Sequence, residues 1–332
     1  MDIGIDLGTA SVLIYVQGHG IVLDEPSLAA VRKNGQPLAF GSEALPMLGR
    51  TPEDITVLRP LKDGVIADGK TAEAMLRYFL RKIIRLRPFE RVRAVLCVPC
   101  GVTEVERLSV QQIAQETGIA QMRVVEEPLA AGLGAGLDIF SPQAHMIADI
   151  GGGTSDLALL SRGGVVASTT LRTAGDEMNE AVAVYVKKTY RLALGQRTAE
   201  EVKMQIASAI PRTPPRRMTV IGQDIASGLP RAQSLGSEEL LAPLDKPIRE
   251  LLEGIGFLLD RTPPELSRDL QQTGITLAGG GALLAGLADR IARQTGLPCQ
   301  AAEDPLKCVA RGAGMLAEMK ATFTHGTLKK DE

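Results

Sequence analysis

The chain has 332 residues, 45% of them hydrophobic, which is enough to bury two cores and too long for one compact unit. With 37 Lys and Arg against 39 Asp and Glu, the formal net charge of −2 excludes a global pull toward nucleic acid or membrane; a charged partner must be met by a local patch. Trp is absent and aromatics make up 3%, so the cores must rest on Leu, Ile, Val and Ala.

Met1 leads directly into a strand, and no apolar run approaches bilayer-spanning length, so neither a signal peptide nor a membrane span is expected. The first element is a strand–turn–strand: Ile3-Gly4-Ile5-Asp6-Leu7 runs through Gly8-Thr9 into Val12-Leu13-Ile14-Tyr15-Val16, and a third strand follows at Gly20-Ile21-Val22-Leu23. Glycine at such a turn leaves backbone N–H groups free to face an anion. An Asp just before it is placed to hold a hydrated divalent metal beside phosphate oxygens. Residues 30–68, rich in Gly, Pro and charge, read as a small insertion.

Gly64-Val65-Ile66-Ala67-Asp68-Gly69-Lys70-Thr71 matches the spacing of a phosphate-binding P-loop and precedes a helix. The context contradicts that reading. A P-loop follows a buried parallel strand, and Arg59-Pro60-Leu61-Lys62-Asp63 is not one. Residues 71–85 are expected to be an amphipathic helix, with Met75, Leu76, Phe79, Leu80, Ile83 and Ile84 repeating at helical spacing. It runs into the basic segment Arg85-Leu86-Arg87-Pro88-Phe89-Glu90-Arg91. Residues 94–98 read as a buried strand. Cys97 and Cys100 form a Cys-x-x-Cys at its end, but Cys299 and Cys308 supply no second close pair, so a reduced protein without a zinc site is expected. Thr103 and Glu106 are spaced as a capping box. A strand at 123–125 then enters Glu126-Glu127-Pro128 and an Ala/Gly-rich helix.

After a connector at 137–145 the opening pattern returns. Ile147-Ala148-Asp149-Ile150 meets Gly151-Gly152-Gly153-Thr154 and continues into Leu157-Ala158-Leu159-Leu160. Two such hairpins, one per half, suggest half-molecules facing each other across a nucleotide. Residues 180–245 read as a second insertion. A strand at 275–277 meets Gly279-Gly280-Gly281-Ala282 before another helix. The expected organisation is a first domain over 1–140 (insertion 30–68), a second over 141–320 (insertion 180–245), a last helix packing back on the first domain, and a frayed polar tail at 321–332.

The paired hairpins, the Glu126-Glu127-Pro128 segment and the Gly279-Gly280-Gly281 loop resemble the actin, sugar-kinase and heat-shock chaperone ATPase superfamily. Longer stretches narrow the resemblance to the bacterial MreB family: Gly20 to Ser27, Met47 to Pro52, Arg59 to Asp68, Gly175-Asp176-Glu177-Met178, Arg197 to Lys203 and Thr276 to Leu284, in one register over residues 2–318. It implies an α/β, actin-like (ribonuclease H-like) duplicated fold of two domains, each with a smaller inserted subdomain and the nucleotide between them. The implied function is an ATPase, cytoplasmic and peripherally membrane-associated, that polymerises into filaments organising cell-wall synthesis and rod shape. Its partners would be its own copies, the anionic inner membrane surface and membrane-bound morphogenesis and cell-wall proteins, with no nucleic acid.

Carried over by position, Thr9, Ala10 and Ser11 bind phosphate from the first hairpin and Gly151, Gly152 and Gly153 from the second. Glu200, Glu201, Val202, Lys203, Gly279, Gly280, Gly281 and Ala282 hold ribose and adenine of ATP or ADP. Asp6 and Asp149 face Mg²⁺ through water, and Glu127, helped by Thr154, orients the attacking water. Leu86 and Phe89 fall where the family has an apolar membrane loop; the alternative is a solvated basic helix end with both tucked into the core. The chain departs from the family at Ser11-Val12 (usually Asn-Thr), Cys100 (Ser), Ser155-Asp156 (Thr-Glu), Ala174 (Gly) and Asn179 (Asp). The first of these makes a nucleotide-gated scaffold with little hydrolysis the alternative function. A chaperone or sugar kinase fits poorly, because the inserts are short and no peptide-binding domain follows.

Overall fold

The structure, a computed structural model, describes residues 1–84, 91–319, 322–324 and 327–329. In chain order, β1 (Asp2–Leu7), β2 (Ser11–Val16) and β3 (Gly20–Pro26) form an antiparallel meander. A separate small sheet comes from β4 (Ala29–Arg32), β5 (Pro37–Phe40) and β6 (Ile55–Leu58), and a ribbon from β7 (Leu61–Lys62) and β8 (Val65–Ile66). Helix α1 (Gly69–Ile84), β9 (Arg93–Val98), α2 (Glu104–Glu116), β10 (Gln121–Glu126) and α3 (Glu127–Gly134) complete this half. The strands lie in the order β10-β9-β1-β2-β3, with β9 and β10 parallel to β1.

The second half repeats the plan. β11 (His145–Ile150), β12 (Ser155–Ser161) and β13 (Gly164–Leu171) form the meander, followed by α4 (Gly175–Tyr190). Its small sheet combines β14 (Leu192–Ala193), β15 (Arg217–Asp224) and β16 (Pro230–Gly236), with α5 (Gln196–Ile206) lying between β14 and β15 in sequence. Then come α6 (Leu241–Asp260), α7 (Pro264–Thr273), β17 (Ile275–Ala278), α8 (Leu287–Thr295), β18 (Cys299–Ala301) and α9 (Cys308–Glu318). The order β18-β17-β11-β12-β13 has the same parallel and antiparallel relations as the first sheet. Where the sequence reads as a frayed tail, β19 (Thr322–Thr324) and β20 (Thr327–Lys329) extend this sheet, β20 pairing with β13.

The helices follow their apolar spacing. Met75, Leu76, Phe79, Leu80 and Ile83 of α1 are buried against the first sheet. Thr103 and Glu106 close a reciprocal capping box that fixes the start of α2. The last helix, α9, crosses from the second half to lie on β1, β9 and α3. It comes so close that a Cβ on Gly312 would stand 1.8 Å from the Ala130 carbonyl oxygen, and one on Gly134 1.9 Å from that of Cys308. Tyr15 Oη donates to Glu318 Oε1 at 3.1 Å, and Arg123 Nη2 to the Leu316 carbonyl at 2.7 Å, which fastens its far end. Among the described residues no helix is long and apolar enough to cross a membrane.

Candidate nucleotide cleft

The turns after β1 and β11 meet. A Cβ added to Gly152 would lie 2.8 Å from the Ala10 Cβ, and one on Gly153 3.1 Å from Thr9 Oγ1. They bound a cleft of about 520 Å³. Thr9, Ala10 and Ser11 line it from one side and Gly151, Gly152, Gly153 and Thr154 from the other. Asp6, Asp149 and Glu127 form its floor, and Glu200, Lys203, Gly279, Gly280 and Gly281 its far end.

Three expected contacts fall elsewhere. Val202 is fully buried in the core of the second half, as is Ala282 at 7% exposure, and Glu201 pairs outward with Arg197 at 3.0 Å. The helical period is the reason: along α5, positions 200, 203 and 204 share the cleft face, while 199, 202 and 206 face the core. Val12, where the family's hydroxyl is missing, is also fully buried, so only Ser11 changes the cleft wall. Leu86 and Phe89 lie outside the described residues.

Other residues join the cleft without having been singled out. Gly64 does so through the β7–β8 turn: its N–H donates to Thr9 Oγ1 at 3.3 Å, and its φ of +75° and packing on Pro99 leave no room for a side chain. The P-loop-like stretch thus contributes its first glycine, while Lys70, on α1, is exposed and outside the cleft. At the start of α4, Gly175 and Asp176 donate N–H groups to the carbonyls of Gly151 (3.1 Å) and Gly152 (2.8 Å). Lys203 Nζ donates to the Gly175 carbonyl at 3.1 Å. Arg212, Arg216, Met204, Leu283 and Leu306 line the far end. Gly64, Gly175, Asp176 and Leu283 fall within stretches that carry the resemblance; Met204, Arg212, Arg216 and Leu306 do not.

The floor concentrates negative charge. Burial pushes the Asp6 carboxyl up to about 7 and that of Asp156 up to about 6. Glu127 and Asp149 are held well above the carboxylate range, first by burial and then by neighbouring carboxyls. Asp156 Oδ1 accepts the Cys100 N–H at 2.9 Å and stands 2.7 Å from Thr170 Oγ1, so it ties the end of β9 to the second sheet. Burial lowers the affinity of Lys203 for its proton, opposed by Glu200 and Asp176. Among the described residues no Lys or Arg offsets Asp6, Glu127 or Asp149. Clustered carboxylates of this kind suit a hard divalent cation. No three of the described His, Cys, Asp or Glu side chains converge as direct ligands of a metal ion.

The family model for MreB/Mbl protein matches residues 1–325. The cell shape-determining protein Mbl of Bacillus subtilis (strain 168) is 43% identical over 318 residues, 96% of each chain. The crystal structure of MreB5 of Spiroplasma citri bound to ADP superposes with a TM-score of 0.91 at 39% identity, covering 95% of both chains. A MamK double helical filament gives 0.82 at 25% identity, over 95% of this chain and 98% of that one.

Proposed function

The chain belongs to the MreB/Mbl family and has its actin-like fold, and on that footing we propose that it is an ATP-binding, ATP-hydrolysing filament protein of cell-shape control. The observation that carries the proposal is the meeting of Thr9-Ala10 with Gly152-Gly153 over Asp6, Glu127 and Asp149. Turn N–H groups from both halves surround the phosphates, and Glu200, Lys203 and the Gly279–Gly281 loop hold ribose and adenine. MreB5 of Spiroplasma citri, bound to ADP, supports nucleotide occupancy; the MamK double helical filament supports assembly into filaments.

Asp6 and Asp149 would hold Mg²⁺ through water, and the cation would supply charge neutralisation at the phosphates. Glu127, at the N-terminus of α3, orients the attacking water, and the Thr154 hydroxyl completes its hydrogen bonding. Phosphoryl transfer needs little beyond such placement and charge neutralisation. In a filament many copies of Leu86 and Phe89 act together, so weak monomer contacts with an anionic inner membrane surface add up. This makes the protein cytoplasmic and peripherally membrane-associated, recruiting membrane-bound morphogenesis and cell-wall synthesis proteins.

The test is phosphate release at saturating Mg–ATP from the unaltered chain and from Glu127→Ala. Slow turnover that falls about 10²-fold or more in the variant, with ADP affinity retained, is the expected result. Nucleotide binding without release in either protein would replace the ATPase with the nucleotide-gated scaffold of the same fold.

A further inference from the structure

Asp156 is a buried carboxyl for which phosphate binding and water activation have so far needed no role. It lies behind the cleft wall, 1% exposed, on β12 directly opposite Asp149 of β11 and two residues beyond Thr154. Its contacts come from both halves. Oδ1 accepts the Cys100 N–H, just past the end of β9, at 2.9 Å, and Thr170 Oγ1 of β13 stands 2.7 Å from the same oxygen. Thr170 Oγ1 is also 2.5 Å from the Cys100 carbonyl, and its single proton serves one of the two. The Thr154 side chain is a further hydrogen-bond partner of the carboxyl. Unlike Asp156, both Thr154 and Glu127 reach the cleft.

An ionised carboxylate only accepts hydrogen bonds. The one proton of the Thr154 hydroxyl is therefore directed at Asp156, which leaves the lone pairs of its oxygen for the cleft. Thr154 then meets the attacking water as an acceptor. Glu127 is an acceptor too, so the pair takes both water hydrogens and turns a lone pair of the water oxygen toward the phosphate. With no acceptor behind it, the same hydroxyl is free to donate into the cleft, and it then holds the water by that lone pair.

We propose that Asp156 is a positioning residue for hydrolysis, fixing the direction of the Thr154 hydroxyl and through it the orientation of the attacking water. This rests on the ATPase reading above and adds to it the group that orients one of its two water acceptors.

The test is steady-state phosphate release with Mg–ATP at pH 8, with ADP affinity and melting temperature measured on the same chains. Asp156→Asn keeps the size and an acceptor for the Cys100 N–H, but its amide donates where the Thr154 proton pointed. It is expected to lower kcat about tenfold or more with KM and ADP affinity within about twofold, the split of a misplaced reactant. Asp156→Glu keeps the carboxylate and should lie closer to the unaltered kcat than the asparagine variant does. In a Thr154→Val background, which has no hydroxyl to direct, Asp156→Asn should cost less than about twofold more. Thr170→Val removes only the other side-chain tie and should keep kcat within about threefold. An unchanged kcat in Asp156→Asn overturns the proposal. So does an equal loss with and without the Thr154 hydroxyl, a glutamate variant as slow as asparagine, or a matching loss in Thr170→Val. Each of these assigns Asp156 to fastening the two sheets. No phosphate release from the unaltered chain sinks the ATPase reading and the proposal with it, a result distinct from selective loss in Asp156→Asn.

Discussion

Arg59 Nη1 donates to Asp176 Oδ2 at 3.0 Å, joining residues 117 positions apart across the mouth of the cleft. Arg59 follows β6 of the first small sheet; Asp176 lies in the first turn of α4, and its backbone N–H is bonded to Gly152 of the turn after β11. The pair links the inserted part of one half to the turn of the other. Both side chains are about a third exposed, so the contribution to stability is about 0.2–1 kcal/mol. Opening the cleft must break it, so its effect belongs in nucleotide release. Arg59→Ala or Asp176→Ala should raise the ADP dissociation rate roughly two- to fivefold with little change in melting temperature. Stopped-flow chase of a fluorescent ADP checks this, and the exchanged pair Arg59→Asp/Asp176→Arg should return the rate toward normal.

The carboxyl cluster sets a pH dependence whose sign is opposite to that of salt-bridged acids. Asp6 and Asp156 titrate near 7 and 6 in the fold, against about 4 when unfolded, so the folded chain holds more protons between those values. Their contribution is fully favourable below pH 4 and is lost as pH rises through 6 and 7. In chelator, the melting temperature should fall between pH 5.5 and pH 8, and Asp6→Asn should flatten that fall. Mg–ADP should restore stability most at pH 8, where the cation meets ionised carboxyls. A melt series with and without Mg–ADP reads both effects.

Neighbouring positions on α5 should behave differently. Lys203 lines the cleft and supports the Gly175 carbonyl, whereas Glu201 only pairs outward with Arg197. Lys203→Ala is expected to weaken ADP binding about tenfold or more, through lost charge-assisted bonding. Glu201→Ala should leave it within about twofold, since exposed i,i+4 pairs contribute only about 0.3–0.5 kcal/mol. Isothermal titration of both variants separates the two faces.

The P-loop-like stretch gives a similar contrast. Lys70→Ala should not change ADP affinity. Gly64→Ala places a Cβ 2.5 Å from Pro99 Cγ at a φ of +75°, and should weaken binding several-fold by displacing the turn that donates to Thr9.

Packing of the last helix predicts the largest stability effect. Gly312→Ala drives a Cβ to within 1.8 Å of the Ala130 carbonyl oxygen, backbone against backbone. A loss of about 3 kcal/mol or more is expected in urea unfolding, at the upper end of overpacking costs.

Much of this molecule was legible before any coordinates. The two Asp-Gly-Thr hairpins, the amphipathic face of α1, the Thr103–Glu106 cap and Glu127 are written in short stretches, because turn chemistry and periodicity act over a few residues. The resemblance extended this to Glu200, Lys203 and the glycine loop. It failed by one helical step at Glu201 and Val202, because a run of four residues in a helix cannot all face one ligand. Gly64 was hidden inside a pattern that pointed to Lys70, and Arg212 and Arg216 carry no local signature at all.

By itself, then, the sequence determined the duplicated strand–turn–strand units, the residue types at their turns and the family that shares them. The tertiary structure decided which turn faces which, how Arg59 finds Asp176, why burial raises the proton affinity of four carboxyls, and which side of α5 meets the cleft. The division has a physical cause. Backbone preference and hydrophobic period are properties of adjacent residues, whereas desolvation and charge pairing depend on distances that only the closed fold sets.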